Sequence, residues 1–174
     1  GSRFNPMAGG APGKDSPEWL HTTTKNMRNF IRKWGTVVRH DELMKPIVIP
    51  KYDFGFVIEN ANLGLLQSLE PFCNTLYVDT YAEDYINTEQ PNTLYDLNKR
   101  IYSIDDDIQN DIIVKFDGSK LTNESFQIIQ QLPEIISNDE GIEDDTVGEF
   151  DLGIFKIMIN SVRTYEGGLI KCER

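Results

Sequence analysis

The run Tyr52-Asp53-Phe54-Gly55-Phe56-Val57-Ile58-Glu59, followed by an apolar helical period over 63–72 and then by Thr75-Leu76-Tyr77-Val78-Asp79, decides the fold class. The first stretch is crowded with aromatic and β-branched residues and predicts a strand. Leu63, Leu66 and Leu69 recur at helical spacing, and 75–79 is short and apolar enough for a buried strand. Two strands joined by a helix in so short a span form a parallel crossover unit. The alternation continues with a helix predicted over 93–102, a strand over 111–117, a helix over 122–136 and a last long strand over 150–162. This pattern predicts an α/β fold, with a mainly parallel or mixed four-stranded sheet flanked by helices.

An internal echo links Tyr52-Asp53-Phe54-Gly55-Phe56-Val57-Ile58 to Phe150-Asp151-Leu152-Gly153-Ile154-Phe155-Lys156. Both run aromatic, Asp, apolar, Gly, apolar, apolar, which suggests neighbouring strands with glycines at a bend or a close backbone contact.

Ahead of this body, residues 1–15 are rich in Gly, Pro and Ala and read as an extended arm. Ser16-Pro17-Glu18 is a helix start, and Gly35 a stop. Between them Leu20, Thr23, Met27, Phe30, Ile31 and Trp34 make one apolar face that is expected to pack on something. Lys25, Arg28, Arg32 and Lys33 lie off that stripe, where a solvated or salt-bridged surface is expected. Pro46 and Pro50 set an extended connector. The organisation is therefore a basic arm, amphipathic helix and connector over 1–51 and an acidic α/β domain with one core over 52–174.

The charge is divided the same way. The chain of 174 residues carries a formal charge of -11. Residues 1–51 hold nine basic and four acidic residues, a balance of +5, and the remainder holds eight basic and twenty-four acidic residues, a balance of -16. Such asymmetry points to a basic segment meeting an acidic body, in the same molecule or in a neighbour. Nucleic-acid binding through Lys25, Arg28, Arg32 and Arg39 is opposed by the acidic body and is not expected. At 39% hydrophobic and 26% charged residues the chain matches neither a disordered nor a membrane protein. No apolar run is long enough for a membrane span, and no signal peptide is visible. Cys73 and Cys172 make neither a disulfide framework nor a CxxC pair, so a reducing setting is expected, cytoplasmic or within a virion.

Catalytic motifs are incomplete. Gly9-Gly10-Ala11-Pro12-Gly13-Lys14 lacks the first glycine of a phosphate-binding loop, and Asp15 stands in place of its Ser/Thr. His21 and His40 belong to no metal or nucleophile pattern, and the acidic loop 137–149 lacks the ligand order of a calcium loop. The more suggestive set is Glu59, Asp79 and Asp117, at or near the C-terminal ends of three predicted strands, where open α/β sheets bind ligands and carboxylates hold a divalent cation against phosphate. The segment Asp111-Ile112-Ile113-Val114-Lys115-Phe116-Asp117-Gly118-Ser119-Lys120-Leu121-Thr122 resembles the strand, acidic turn and helix that carries the metal in GT-A glycosyltransferases. That family's second acid would fall at position 119, where Ser119 stands. The resemblance implies Mg or Mn and a transferase or phosphoesterase-like reaction.

The favoured expectation is a non-enzymatic protein-protein interaction or assembly module that uses no cofactor. It would act through Trp19, Lys25, Arg28, Arg32, Trp34 and Arg39, by self-association or on a protein partner. The Asn-, Ile- and Asp-rich wording suits a phage or viral structural component.

Overall fold

A computed structural model describes residues 16–80, 82–138 and 147–164. Cys172, the Gly9–Lys14 string and most of the acidic loop lie outside the described residues.

The elements are α1 (Pro17–Trp34), β1 (Phe54–Glu59), α2 (Leu63–Leu69), β2 (Thr75–Val78), α3 (Glu83–Glu89), β3 (Ile101–Ser103), β4 (Ile112–Asp117), α4 (Asn123–Asn138), β5 (Gly148–Leu152) and β6 (Phe155–Ile159). The fold is α/β, with one mixed six-stranded sheet in the order β3-β2-β1-β4-β6-β5. The first four of these strands are mutually parallel, and β6 and β5 follow antiparallel.

Six strands replace the expected four for local reasons. Gly153, at φ +62°, turns the chain inside the expected last strand, so that Leu152 pairs with Phe155 across a two-residue turn. The helix expected over 93–102 does not form. Pro91 opens a 3-10 turn at Gln90–Asn92, Asp96 caps another at Leu97–Lys99, and β3 follows. The helix of this crossover is α3, which lies earlier. The echoed segments are not neighbours, because β4 lies between β1 and β6.

Side-chain parity reveals how the sheet is covered. Phe54, Phe56 and Ile58 of β1, Leu76 and Val78 of β2, Ile112, Val114 and Phe116 of β4, and Phe155, Ile157 and Ile159 of β6 form one buried cluster with Ile31, Leu66, Leu69, Tyr85, Ile129, Leu132 and Ile136. All four helices therefore pack on a single face of the sheet. The alternate residues Val57, Tyr77 and Ile113 form a small second cluster, covered by Ile104 and Ile108 from the β3-β4 connection. A right-handed return from β3 to β4 must cross that opposite face. It spans three strand spacings, about 14 Å, in eight residues that would reach only about 12 Å as a helix but about 26 Å extended. The connection is accordingly an extended strap, and it leaves much of the second face thinly covered.

Asn110 fastens the end of the strap. It donates to Asp53 at 2.8 Å and to Thr75 at 3.2 Å, and its side-chain oxygen accepts from the Tyr77 hydroxyl at 3.2 Å. It can sit there because Gly55 leaves the space: a Cβ on Gly55 would lie 2.6 Å from Asn110 Cγ. Gly55→Ala should therefore loosen the strap and cost about 1–3 kcal/mol, readable as a lower urea midpoint. An unchanged midpoint would show that Asn110 can move aside freely.

Candidate functional site

Strand order reverses between β1 and β4, the switch point where open α/β sheets form a ligand crevice at their C-terminal edge. Glu59 ends β1, Asp117 ends β4, and Asp79 follows β2. Asn60 joins two of these. Held at φ +53°, a region Asn tolerates better than most residues, it presents its N–H to Asp79 at 2.6 Å and its amide to Asp117 at 2.9 Å. The N–H of Ala61 also donates to Asp79, at 3.1 Å. These backbone donors are the ones a phosphate at this edge would need.

Ser119 closes on Asp117 through its hydroxyl at 2.7 Å and its N–H at 3.0 Å. The Ser119 hydroxyl, then Asn60 and then the Ser119 N–H hold the Asp117 carboxyl down to about 2. Asp79 and Asp117 thus meet through Asn60, while Glu59 stands exposed at the end of β1. Among the described residues no group of three or more His, Cys, Asp or Glu is arranged to hold a metal. Cys73 is buried, and burial pushes its thiol up to about 12.

The second set of predicted residues lies on α1. Ser16 caps the helix by accepting from Trp19 N–H at 3.2 Å, and Gly35 ends it at φ +78°, as the sequence predicts. The helix is nonetheless rotated so that only Ile31 of its apolar stripe reaches the core. Arg32 is 1% exposed and donates to Glu70 at 2.7 Å and to Glu89 at 2.8 Å. Arg28 forms a bidentate pair with Glu89 at 2.7 and 2.8 Å, and Asn29 donates to the Asn92 carbonyl. From the other side Arg100 donates to Glu70 at 2.7 Å, and the Tyr85 hydroxyl donates to it at 3.0 Å. Arg28, Arg32 and Arg100 with Glu70, Glu89 and Tyr85 form one polar network under α1. Among the described residues no buried side-chain nitrogen or oxygen is without a partner.

Burial and neighbouring charge oppose each other at Glu70, Glu89 and Arg32. Burial alone would raise Glu70, but Arg100 and Arg32 outweigh it and hold the carboxyl below its usual range. Glu89 is likewise raised by burial and more than compensated by Arg28 and Arg32. Burial would lower Arg32, and Glu70 and Glu89 overcome it.

Inward placement of the arginines leaves the apolar stripe outside except for Ile31, which is in the core. Leu20 is 49% and Met27 55% exposed, and Trp19, Thr23, Phe30 and Trp34 are half-buried along the same side. This side lies roughly a third of a turn from the docked face. Phe30 and Trp34 pack on each other at 6.2 Å, and Lys33 lies over the Trp34 ring. Arg39 pairs with Glu134 of α4, and Lys25 is half-buried.

Of the residues expected to meet a partner, Arg28, Arg32 and Arg39 hold the chain's own carboxylates, whereas Trp19 and Trp34 belong to the outward stripe. The sequence predicts one apolar face of Leu20, Thr23, Met27, Phe30, Ile31 and Trp34 that packs on something; of these Ile31 reaches the core and Leu20 and Met27 are exposed. The connector adds Val38 at 55%, Leu43 and Met44 at 74% and Val48 at 78% exposed. Sequence reasoning did not name Glu70, Glu89 and Arg100; the excess of acid in the body was the only signal for the two glutamates, and Arg100 had none. Comparison with protein-family models, curated proteins and solved structures returned no match.

Removing one member of a buried charge network strands the others. Glu70→Gln should lower stability by about 3–5 kcal/mol and reduce hydrogen-exchange protection of α1 first. Because Glu70 and Glu89 are depressed in the fold, their contribution is full above the ordinary carboxylate value of about 4.3 and is lost as pH falls below it. The urea midpoint should drop on acidification, less steeply in Glu70→Gln; parallel profiles would refute this linkage.

Proposed function

We propose that the chain is a non-enzymatic interaction or assembly module whose docking element is the outward face of α1. The observation that carries this reading is the inversion of the helix. An amphipathic helix ordinarily buries its apolar stripe. Here the polar face is buried together with Ile31, and Leu20 and Met27 are left to solvent. An exposed apolar stripe is a recognition surface or a liability, and the network of three arginines on two glutamates holds this one rigidly in place. The exposed apolar residues of the connector lengthen the apolar part of the chain that follows the helix. The partner is a protein; of the four cations nucleic acid would need, Arg28, Arg32 and Arg39 are paired within the fold.

A photo-crosslinking residue placed at Met27 of the full chain, in its native cellular setting, should form a covalent adduct with a protein. The same residue at Gln67, exposed and polar on α2, should not. Equal labelling at the two positions would remove the reading.

The meeting of Asp79 and Asp117 at Asn60 favours a second reading, a Mg- or Mn-dependent transferase or phosphoesterase-like activity with Glu59 as a third carboxylate. Saturable binding of either ion in calorimetry, abolished by Asp117→Ala, would support it. Absence of binding at millimolar metal would eliminate it. The donors already seated on both carboxylates argue for the first reading.

A further inference from the structure

We infer that the outer edge of β3 is a docking groove for an extended, arginine- or lysine-bearing segment of a partner protein. This surface is separate from the outward side of α1, and the inference holds whether or not α1 meets a partner.

The backbone of β3 supplies the first argument. β3 is an edge strand, bonded to β2 alone. The Arg100 carbonyl accepts from Leu76 N–H and Ile104 N–H donates to the Val78 carbonyl, so residues 100, 102 and 104 turn their backbone groups toward β2. Ile101 and Ser103 therefore turn theirs outward. Asp106 closes the Ser103 end: its carboxylate accepts from Ser103 N–H at 2.9 Å, and its own N–H donates to the Ser103 carbonyl at 3.1 Å. The N–H and carbonyl of Ile101 are directed at the edge, along a cavity of about 880 Å³ that Ile101 itself lines. A donor and an acceptor together on a sheet edge are what an extended peptide pairs with. Ile86 and Ile104 extend the apolar wall of that cavity.

The character of the occupant follows from charge. A second cavity, of about 480 Å³, adjoins the first, and Tyr102 and Asp106 line both. Asp53, Asp79, Glu83, Asp105, Asp106 and Asp107 lie around the two cavities, and no Lys, Arg or His does. Among the described residues none of these carboxylates takes part in an ion pair, whereas Glu70, Glu89, Asp111 and Glu134 do. A concave surface lined by one sign of charge focuses its field and gathers the opposite charge.

Tyr102 shows how that charge would be carried. Its ring packs on Tyr77 with centroids 5.8 Å apart and planes at 27°, yet Tyr102 is 40% exposed. An arginine or lysine laid on the exposed ring would cover it with an aliphatic stem and set its cation beside Asp106 and Asp107, which line the same cavity. A bare metal ion would use neither the ring nor the edge of Ile101. The chain's own α1 cannot supply the cation, because Arg28 and Arg32 are held by Glu70 and Glu89.

In an extended peptide alternate side chains share one side, so a short peptide of alternating arginine and valine is a suitable probe. Labelled with fluorescein, it should bind the full chain saturably, and more weakly as salt rises from about 50 to about 500 mM. Asp107→Asn combined with Glu83→Gln, and separately Tyr102→Leu, should each weaken binding about fivefold with unchanged circular dichroism. Asp41→Asn combined with Glu42→Gln removes the same charge from the connector and should leave the affinity as it was. With peptide bound, the Ile101 amide should exchange more slowly, since its N–H then has a strand partner.

Lack of saturable binding, or an equal loss in the connector variant and the groove variants, would overturn the inference. An Ile101 amide that exchanges at the same rate with and without peptide would overturn the strand pairing. Spermine that displaces the peptide at equal concentration of charge would show that a free polyamine suffices and overturn the peptide as occupant.

Discussion

A carboxylate with no exposure to water, Glu70, sits at the point where α1, α3 and the parallel strands converge, and the orientation of α1 follows from it. Left alone there, it would face a desolvation cost of several kcal/mol. Arg32 from α1 and Arg100 from the segment entering β3 remove that cost, and Tyr85 adds a hydroxyl. Once Arg32 is committed to Glu70, the rotation of α1 about its axis is set, because Arg28 and Asn29 are carried to Glu89 and Asn92 on the same side. Apart from Ile31, which reaches the core, the apolar stripe must then face away. A charge requirement inside the body thereby becomes a hydrophobic surface outside it.

The sheet shows a related economy. A parallel sheet is ordinarily buried on both faces by crossover helices. Here one crossover has been reduced to the extended strap over 104–111, which seals Val57, Tyr77 and Ile113 through Ile104 and Ile108 and is tied down by Asn110. All four helices are left for the other face. Gly55 is needed because Asn110 occupies the volume in which its side chain would stand. At the C-terminal edge the backbone donors of Asn60 and Ala61 are seated on Asp79, so the place where many folds of this order receive a phosphate is closed by the chain's own carboxylate.

Strong local patterns were legible. Ser16, Pro17 and Gly35 mark both ends of α1; the apolar runs at 52–59, 75–79 and 111–117 fall on β1, β2 and β4; Thr122 precedes α4. Weak local patterns were not. α3 is a short polar segment with only Tyr85 buried among its apolar residues, so it shows no clear period. β3 has three residues, and its pairing with β2 is what makes it a strand. The split of the last strand hangs on one glycine in the left-handed region. At the carboxylate edge, the sequence placed Asp79 and Asp117 correctly but said nothing of Asn60, whose role depends on a backbone angle.

The residues of the chain alone determined the α/β class, the ends of the first helix, the segregation of charge and the existence of an apolar stripe on α1, because each is a local property of composition, capping or spacing. Which side of that helix meets the body was decided only by the tertiary structure. Glu70 and Glu89 lie 38 and 57 residues from Arg32 in sequence, and no local periodicity can report that two distant carboxylates will be buried and will need its charge.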